Sequence, residues 1–251
     1  MGMVEDKIRK AAALRPALPK RFYTSVTVVG ADNGFAVALD GRTIKTPKRR
    51  ALSLPTVALA EAVAAEWAAQ DAVIDPHTMP MTQLANTVID GVAEAAAAVA
   101  ESFVTFARAD LLCYRVAYPE SLARAQAEAW QPLLDWAEAV LGARFRVTTE
   151  IAPIDQPEES IAAIRAACAV YDPWRLAAVH ALAGVYGSAV LALAVLEGHI
   201  AAEHASAAAR VDEAHQAARW GEDAEARRRA EALAGEAVAA ARFAELVRRG
   251  D

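Results

Sequence analysis

Residues 23–46 read YTSVTVVGADNGFAVALDGRTIKT, and the fold turns on how this stretch divides. YTSVTVV, FAVAL and TIKT are short runs rich in β-branched and apolar residues, and ADNG and DGR between them are turn sequences. Asn33-Gly34 and Asp40-Gly41 tolerate the positive φ that primed hairpin turns require, so the segment reads as an antiparallel meander. Pro47 and the basic run Lys48-Arg49-Arg50 mark a turn or sheet edge, and ALSL at 51–54 reads as one more short strand.

Past this point the period changes from two to three-and-a-half. Pro55 suits the first turn of a helix, and TVALAEAVAAEWAAQ carries apolar residues at helical spacing through Trp67. After the loop IDPHTMP, helical patterns cover Thr82–Gly91, Val92–Ala109, Glu120–Leu141 and Glu158–Val170. They continue over Pro173–Tyr186, Ser188–Gly198, Ala201–Trp220 and Glu222–Arg249. LLCYRV and RFRVTT are β-like in composition but short enough to be extended connectors. The fold class is therefore α+β. A small N-terminal antiparallel β-rich domain with a helix is expected over residues 1–95, its first 19 residues flexible, and a larger all-helical bundle over 96–251.

Composition narrows the function classes. With 55% hydrophobic residues in 251 and a mean hydropathy of +0.17 there is ample core material, much of it alanine, which favours close helix contacts over a bulky aromatic interior. The net charge of −6 argues against a general affinity for nucleic acid. Charge is unevenly spread: the first 50 residues hold 11 basic and 4 acidic side chains, against 15 and 28 in the rest. This asymmetry reads either as solvated surface or as a polarised surface for a partner. Cys113 and Cys168 form no CxxC pair and suit a reducing compartment as core thiols. The first residues, with Glu5 and Asp6, lack the apolar run of a secretory signal. Leu176–Leu196 contains no formally charged residue, but its alanines and the Gly184, Gly187 and Ser188 interruptions predict two buried helices, with Ser188 capping the second, and no stable membrane insertion.

Catalytic patterns are missing. His77, His180, His199, His204 and His215 stand in no metal-ligand spacing. Gly184–Ser188 has no following lysine, and neither GxGxxG nor GxSxG occurs. Adjacent acids such as Asp212-Glu213 diverge on a helix. Two aromatic-polar clusters suit recognition better. One is Glu66-Trp67 and Gln70 leading to Met79-Pro80-Met81, with Trp67 either anchoring its helix on the sheet or serving a secondary interface. In the other, Glu213, Gln216 and Trp220 stand at i, i+3 and i+7 on one helix face, as a partner contact or a buried polar tie.

The same residues carry a resemblance. KRFY at 20–23, LDGRTIKTP at 39–47, LP with EW..Q at 54–70 and IDP..MP.T.LANT.ID at 74–90 are joined by QAEAWQPLLDWAE at 126–138, GSAVLALAV at 187–195 and DE..Q...WG at 212–221. In this order they resemble the ATP-twelve family of ATP synthase assembly factors. The resemblance implies a chaperone, not an enzyme, that binds the unassembled alpha subunit of the synthase's catalytic sector, with no cofactor and no metal. It also implies partner-binding residues Glu213 and Asp212, beside Gln216 and Trp220. Where relatives carry an acid or aromatic before the Gln, this chain has Ala214-His215. A monomer in a bacterial cytoplasm is expected, with a mitochondrial matrix for eukaryotic relatives. The alternative is an enzyme or small-ligand protein using an interdomain cleft.

Overall fold

The computed structural model of the chain describes residues 18–221 and 223–248; the initial 17 residues, where most of the expected flexible segment falls, lie outside them. Strands β1 (Val26–Ala31), β2 (Gly34–Leu39) and β3 (Arg42–Thr43) form the antiparallel meander in the order β1-β2-β3. At the second turn Asp40 and Gly41 take φ of 46° and 79°, as a primed turn requires. The first turn is displaced from its expected position. Its central residues are Asp32 and Asn33, and Gly34 already pairs with Ala31 in the ladder at a φ of 124°.

Gly34 is needed there for two reasons. Its backbone region is closed to side chains, and a Cβ would collide with the carbonyl oxygen of Leu54, drawn close by the Phe35 N–H···O=C Leu54 bond of 2.9 Å. Gly34→Ala is expected to lower stability by about 2–3 kcal/mol in urea unfolding, with an unchanged m-value.

ALSL does not extend into a strand. Only the single bridges Phe35↔Leu54 and Lys45↔Ala51 form, because Arg49, at a φ of 64°, folds residues 46–50 into a tight loop closed by Arg49 N–H to Thr46 O at 2.8 Å. The loop is clamped to the following helices. Asp90 accepts from Thr46 Oγ1 at 2.6 Å and Lys48 N at 3.0 Å, while Arg50 donates to Ile89 O at 2.8 Å and meets Glu94 at 2.6 Å.

Among the described residues ten α-helices follow: α1 (Val57–Ala68), α2 (Pro80–Thr87), α3 (Ala93–Arg108), α4 (Glu120–Trp136) and α5 (Glu158–Ala169), then α6 (Pro173–Tyr186), α7 (Ala189–Leu196), α8 (Ala202–Ala209), α9 (Val211–Trp220) and α10 (Ala224–Arg248). Helix α1 starts two residues later than Pro55 suggests, since the Thr56 hydroxyl is its cap and accepts from Leu59 N at 3.1 Å. Between α2 and α3, and again at the end of α4, the helix widens to π geometry over Val88–Val92 and Ala137–Leu141. LLCYRV and RFRVTT are connectors that meet at one parallel bridge, Tyr114↔Thr148.

The uncharged stretch at 176–196 divides where the sequence says it should. Gly187 ends α6 at a φ of 65°, and Ser188 Oγ accepts from Leu191 N at 3.0 Å to start α7. Every residue of α7 is buried, and no helix among the described residues is long and apolar enough to cross a membrane. The expected Ala201–Trp220 helix, in contrast, is two helices broken at Arg210 (φ −120°, ψ 24°). One apolar cluster runs from Val37 on the sheet through α7 to Val247, with α10 packed on α1, α2, α6 and α8.

Candidate functional site

The break at Arg210 decides how the Glu213 helix is used. It gives α9 its own direction, packed on α4 on one side and facing α10 across a groove on the other, and α9 contains no buried residue. The two sides have different chemistry.

Toward α4 the contacts are ties. Gln126, fully buried, donates to Asp212 Oδ1 at 2.7 Å and accepts from Val116 N at 2.8 Å, and the ring Nε2 of His215 lies 2.9 Å from Ser121 Oγ. Trp130, also buried, donates from Nε1 to Ala208 O at 2.7 Å and holds the end of α8 just before the break. Asp212 thus has one carboxylate oxygen committed to the scaffold. Gln126 and Trp130 escape a reading by spacing because their partners lie 86 and 78 residues away.

Toward α10, Glu213, Gln216 and Trp220 line one groove of about 660 Å³. Its walls include the small side chains of Ala217, Ala230 and Ala234, with Arg210, Arg227 and Glu231 among the charged residues around it. Ser206, Arg210, Glu213 and Ala234 also line a second groove of about 330 Å³ that leads to Tyr186 and Gly187. Trp220 is 73% exposed with Arg219 over its ring at 5.6 Å. Covering a tryptophan this exposed stabilises a complex by about 3–4 kcal/mol before ordering costs. The arrangement suits a protein segment laid against the groove: an apolar anchor at one end, an amide in the middle and a carboxylate at the other.

Trp67, Gln70, Met79 and Met81 occupy the scaffold. Gln70 donates to Glu66 O and to Thr78 Oγ1, both at 3.0 Å, and accepts from Asp75 N at 2.7 Å. Trp67 packs edge-on against Tyr23 with centroids 5.7 Å apart, and Met79 and Met81 are buried. Glu66 organises this corner. Its carboxylate accepts from Met81 N at 2.6 Å, Thr82 N at 2.8 Å and Thr82 Oγ1 at 2.7 Å, capping α2 from another helix, and burial pushes its pKa up against these bonds. The signal was present: α2 begins at Met79-Pro80 with no capping side chain of its own.

Residues 20–138 match the family described as ATP12 chaperone protein. The crystal structure of Atp12 from Paracoccus denitrificans superposes with a TM-score of 0.87 at 43% identity, covering 91% of this chain and 98% of that one. The chain belongs to the ATP12 chaperone family. A structure from Agrobacterium tumefaciens superposes equally well, with a TM-score of 0.87 at 42% identity over 95% of this chain and 90% of the other. The mitochondrial protein atp12 of Schizosaccharomyces pombe is 27% identical over 225 residues, 84% of this chain and 77% of that protein. In this family member the α9–α10 groove lies beyond residue 138, so it falls in the part of the chain matched by whole structures and not by the family's sequence signature.

Proposed function

We propose that this chain is an assembly chaperone for the catalytic sector of ATP synthase that holds the unassembled alpha subunit until the beta subunit takes over. It does so as a monomer in a bacterial cytoplasm, without catalysis, metal or cofactor. The observation that carries the reading is the exposed Trp220 beside an alanine-lined groove in a chain of a chaperone family. Glu213 and Gln216 give the contact direction. Asp212 acts through Gln126 to set the pitch of α9, while Trp67, Gln70, Met79 and Met81 serve the fold that presents it. Such a holder needs an exposed apolar anchor and a polar rim but no energy source, because release follows when a tighter-binding subunit displaces it.

Co-expression of the alpha subunit with and without the chain tests this. The expected result is a recoverable one-to-one complex and a larger soluble fraction of alpha when the chain is present. An alpha subunit equally soluble without it, together with no complex in a pull-down, would remove the proposal.

A further inference from the structure

A second, smaller apolar cluster lies at the sheet end of the molecule and is only partly covered. Tyr23, Leu39, Ile74 and Met79 are buried in it, and Ile44 and Trp67 pack against it half-buried. Leu39, Ile44 and Trp67 also line a cleft of about 470 Å³ beside β3. Trp67 therefore does more than anchor α1 on Tyr23. Phe22 lines the same cleft, 73% exposed and edge-on to Tyr23 with centroids 5.3 Å apart. An exposed ring beside a half-buried one, over an apolar floor, has the composition of a contact core that lacks its second half.

The charge within the cleft is one-sided. Arg42 and Lys45 both line it and are exposed, and among the described residues neither side chain takes part in an ion pair or a hydrogen bond. The carboxylate in the lining, Asp40, is engaged with the chain itself. Its Oδ1 accepts from Thr24 N at 3.1 Å and Ser25 N at 2.8 Å, and from both hydroxyls at 3.0 Å. Helix α1 carries Glu61 and Glu66, but neither lines the cleft, and Glu66 is committed to the start of α2. Two cations without counter-charges thus stand over an apolar floor.

We propose that this cleft is a second protein-binding site, which takes an acidic segment of a partner chain with an aromatic side chain at its centre. The central ring covers Phe22 and Trp67, and carboxylates on either side of it pair with Arg42 and Lys45. A small-molecule site encloses most of its ligand, which a wall as open as Phe22 does not do. An anionic membrane surface would meet the remainder of the chain, with 28 acidic against 15 basic side chains over residues 51–251, whereas a segment reaches the cleft alone. A second copy docked by the same face would bring two unpaired cation pairs together. The site stands apart from the α9–α10 groove and does not depend on the identity of any client.

The test titrates a synthetic peptide with blocked ends, Gly-Asp-Glu-Phe-Glu-Asp-Gly, into the full isotope-labelled chain and follows it by NMR. Saturable shifts are expected at the amides of Phe22, Arg42, Thr43 and Lys45, with a dissociation constant on the order of 10–100 μM. Binding should weaken about fivefold or more between about 50 and about 300 mM salt. A peptide with lysines in place of the acids, or with glycine in place of its Phe, should bind about tenfold more weakly or worse. The double variant Arg42→Glu with Lys45→Glu should lose the acidic peptide by a similar factor and gain the lysine-flanked one. Phe22→Ser should weaken binding about fivefold, with little change in melting temperature because the ring is exposed. Absent or non-saturable shifts, equal binding of the two flank charges or an unaltered affinity in the double variant would overturn the proposal. Phenylacetate binding as well as the peptide would overturn it in favour of a small-molecule site. A parent chain that sediments as a dimer and becomes a monomer with Phe22→Ser would overturn it in favour of a second copy. The titrations of the parent chain with the two flank charges decide the matter even if the double variant does not fold.

Discussion

Exchanging Glu213 for lysine is expected to weaken capture of the free alpha subunit by about tenfold or more while leaving the melting temperature within about 1–2 °C of the parent. The structure separates the two effects. Glu213 is exposed on a helix with no buried residue, so the fold does not rest on it. It shares the groove lining with Arg210 and with Arg227, which pairs with Glu231 at 3.8 Å, and a lysine there turns a mixed lining toward positive charge. Reversal of a charge in a partly desolvated contact adds repulsion to the lost attraction. Trp220→Ala should weaken capture further, because it removes the largest exposed apolar side chain of the groove. Asp212→Lys should behave differently: it breaks the tie to buried Gln126, so lost capture would come with lost stability. Pull-down titrations paired with thermal melts distinguish these outcomes. A Glu213→Lys protein that binds normally would take that residue out of the contact, and one that unfolds would place it in the scaffold.

The largest stability effect is expected at Asp110. This carboxylate is completely buried and accepts from Leu112 N and from Val190 N, each at 3.1 Å, so it caps the buried helix α7 from 80 residues away. Asp110→Ala leaves both donors without a partner in the interior and should cost about 4 kcal/mol. The cost should depend on pH in a defined sense. Burial outweighs the hydrogen bonds and raises the Asp110 pKa from 3.8 to about 6. The folded chain therefore binds this proton more tightly than the unfolded chain does. The resulting stabilisation is fully present below pH 3.8 and is lost as pH rises through about 6. The stability gap between the parent and Asp110→Ala should widen by roughly 2 kcal/mol from pH 7.5 to pH 4.5. Urea unfolding of both proteins at the two pH values measures it, and a gap that narrows on acidification would contradict the assignment of a raised pKa.

What could be read in advance was what neighbouring residues determine. Asp40-Gly41 specified its turn, and Pro173 and Gly187-Ser188 specified the ends of α6 and the start of α7, because capping and positive φ are local. The one-residue error at Asn33-Gly34 has a tertiary cause: Leu54 crosses so close to Gly34 that the glycine is spent on approach and not on the turn's centre. The break at Arg210 carries no glycine or proline, and alanine-rich sequence on both sides hides it. Its cause lies in α4, where Trp130 holds Ala208 O and Gln126 holds Asp212. For the same reason helical spacing could place Glu213, Gln216 and Trp220 on one face but could not say which neighbour that face meets. It could not separate Asp212 from Glu213 either, though the first is tied to the scaffold and the second is open to a partner. Asp110 was invisible because the helix end it caps lies 80 residues further along the chain, whereas Glu66 stood in its cluster with its capping role signalled only by the missing cap at Met79-Pro80.

The central claim is that the groove between α9 and α10 holds the alpha subunit, and site-specific photocrosslinking from Gln216 tests it most directly. With a photoreactive residue at that position, irradiation of the chain with free alpha subunit should give a covalent adduct whose linked peptide maps to alpha, while the same probe at exposed Val140 or Val170 should not. A complex that forms but crosslinks from Val140 or Val170 and never from Gln216 would contradict the claim.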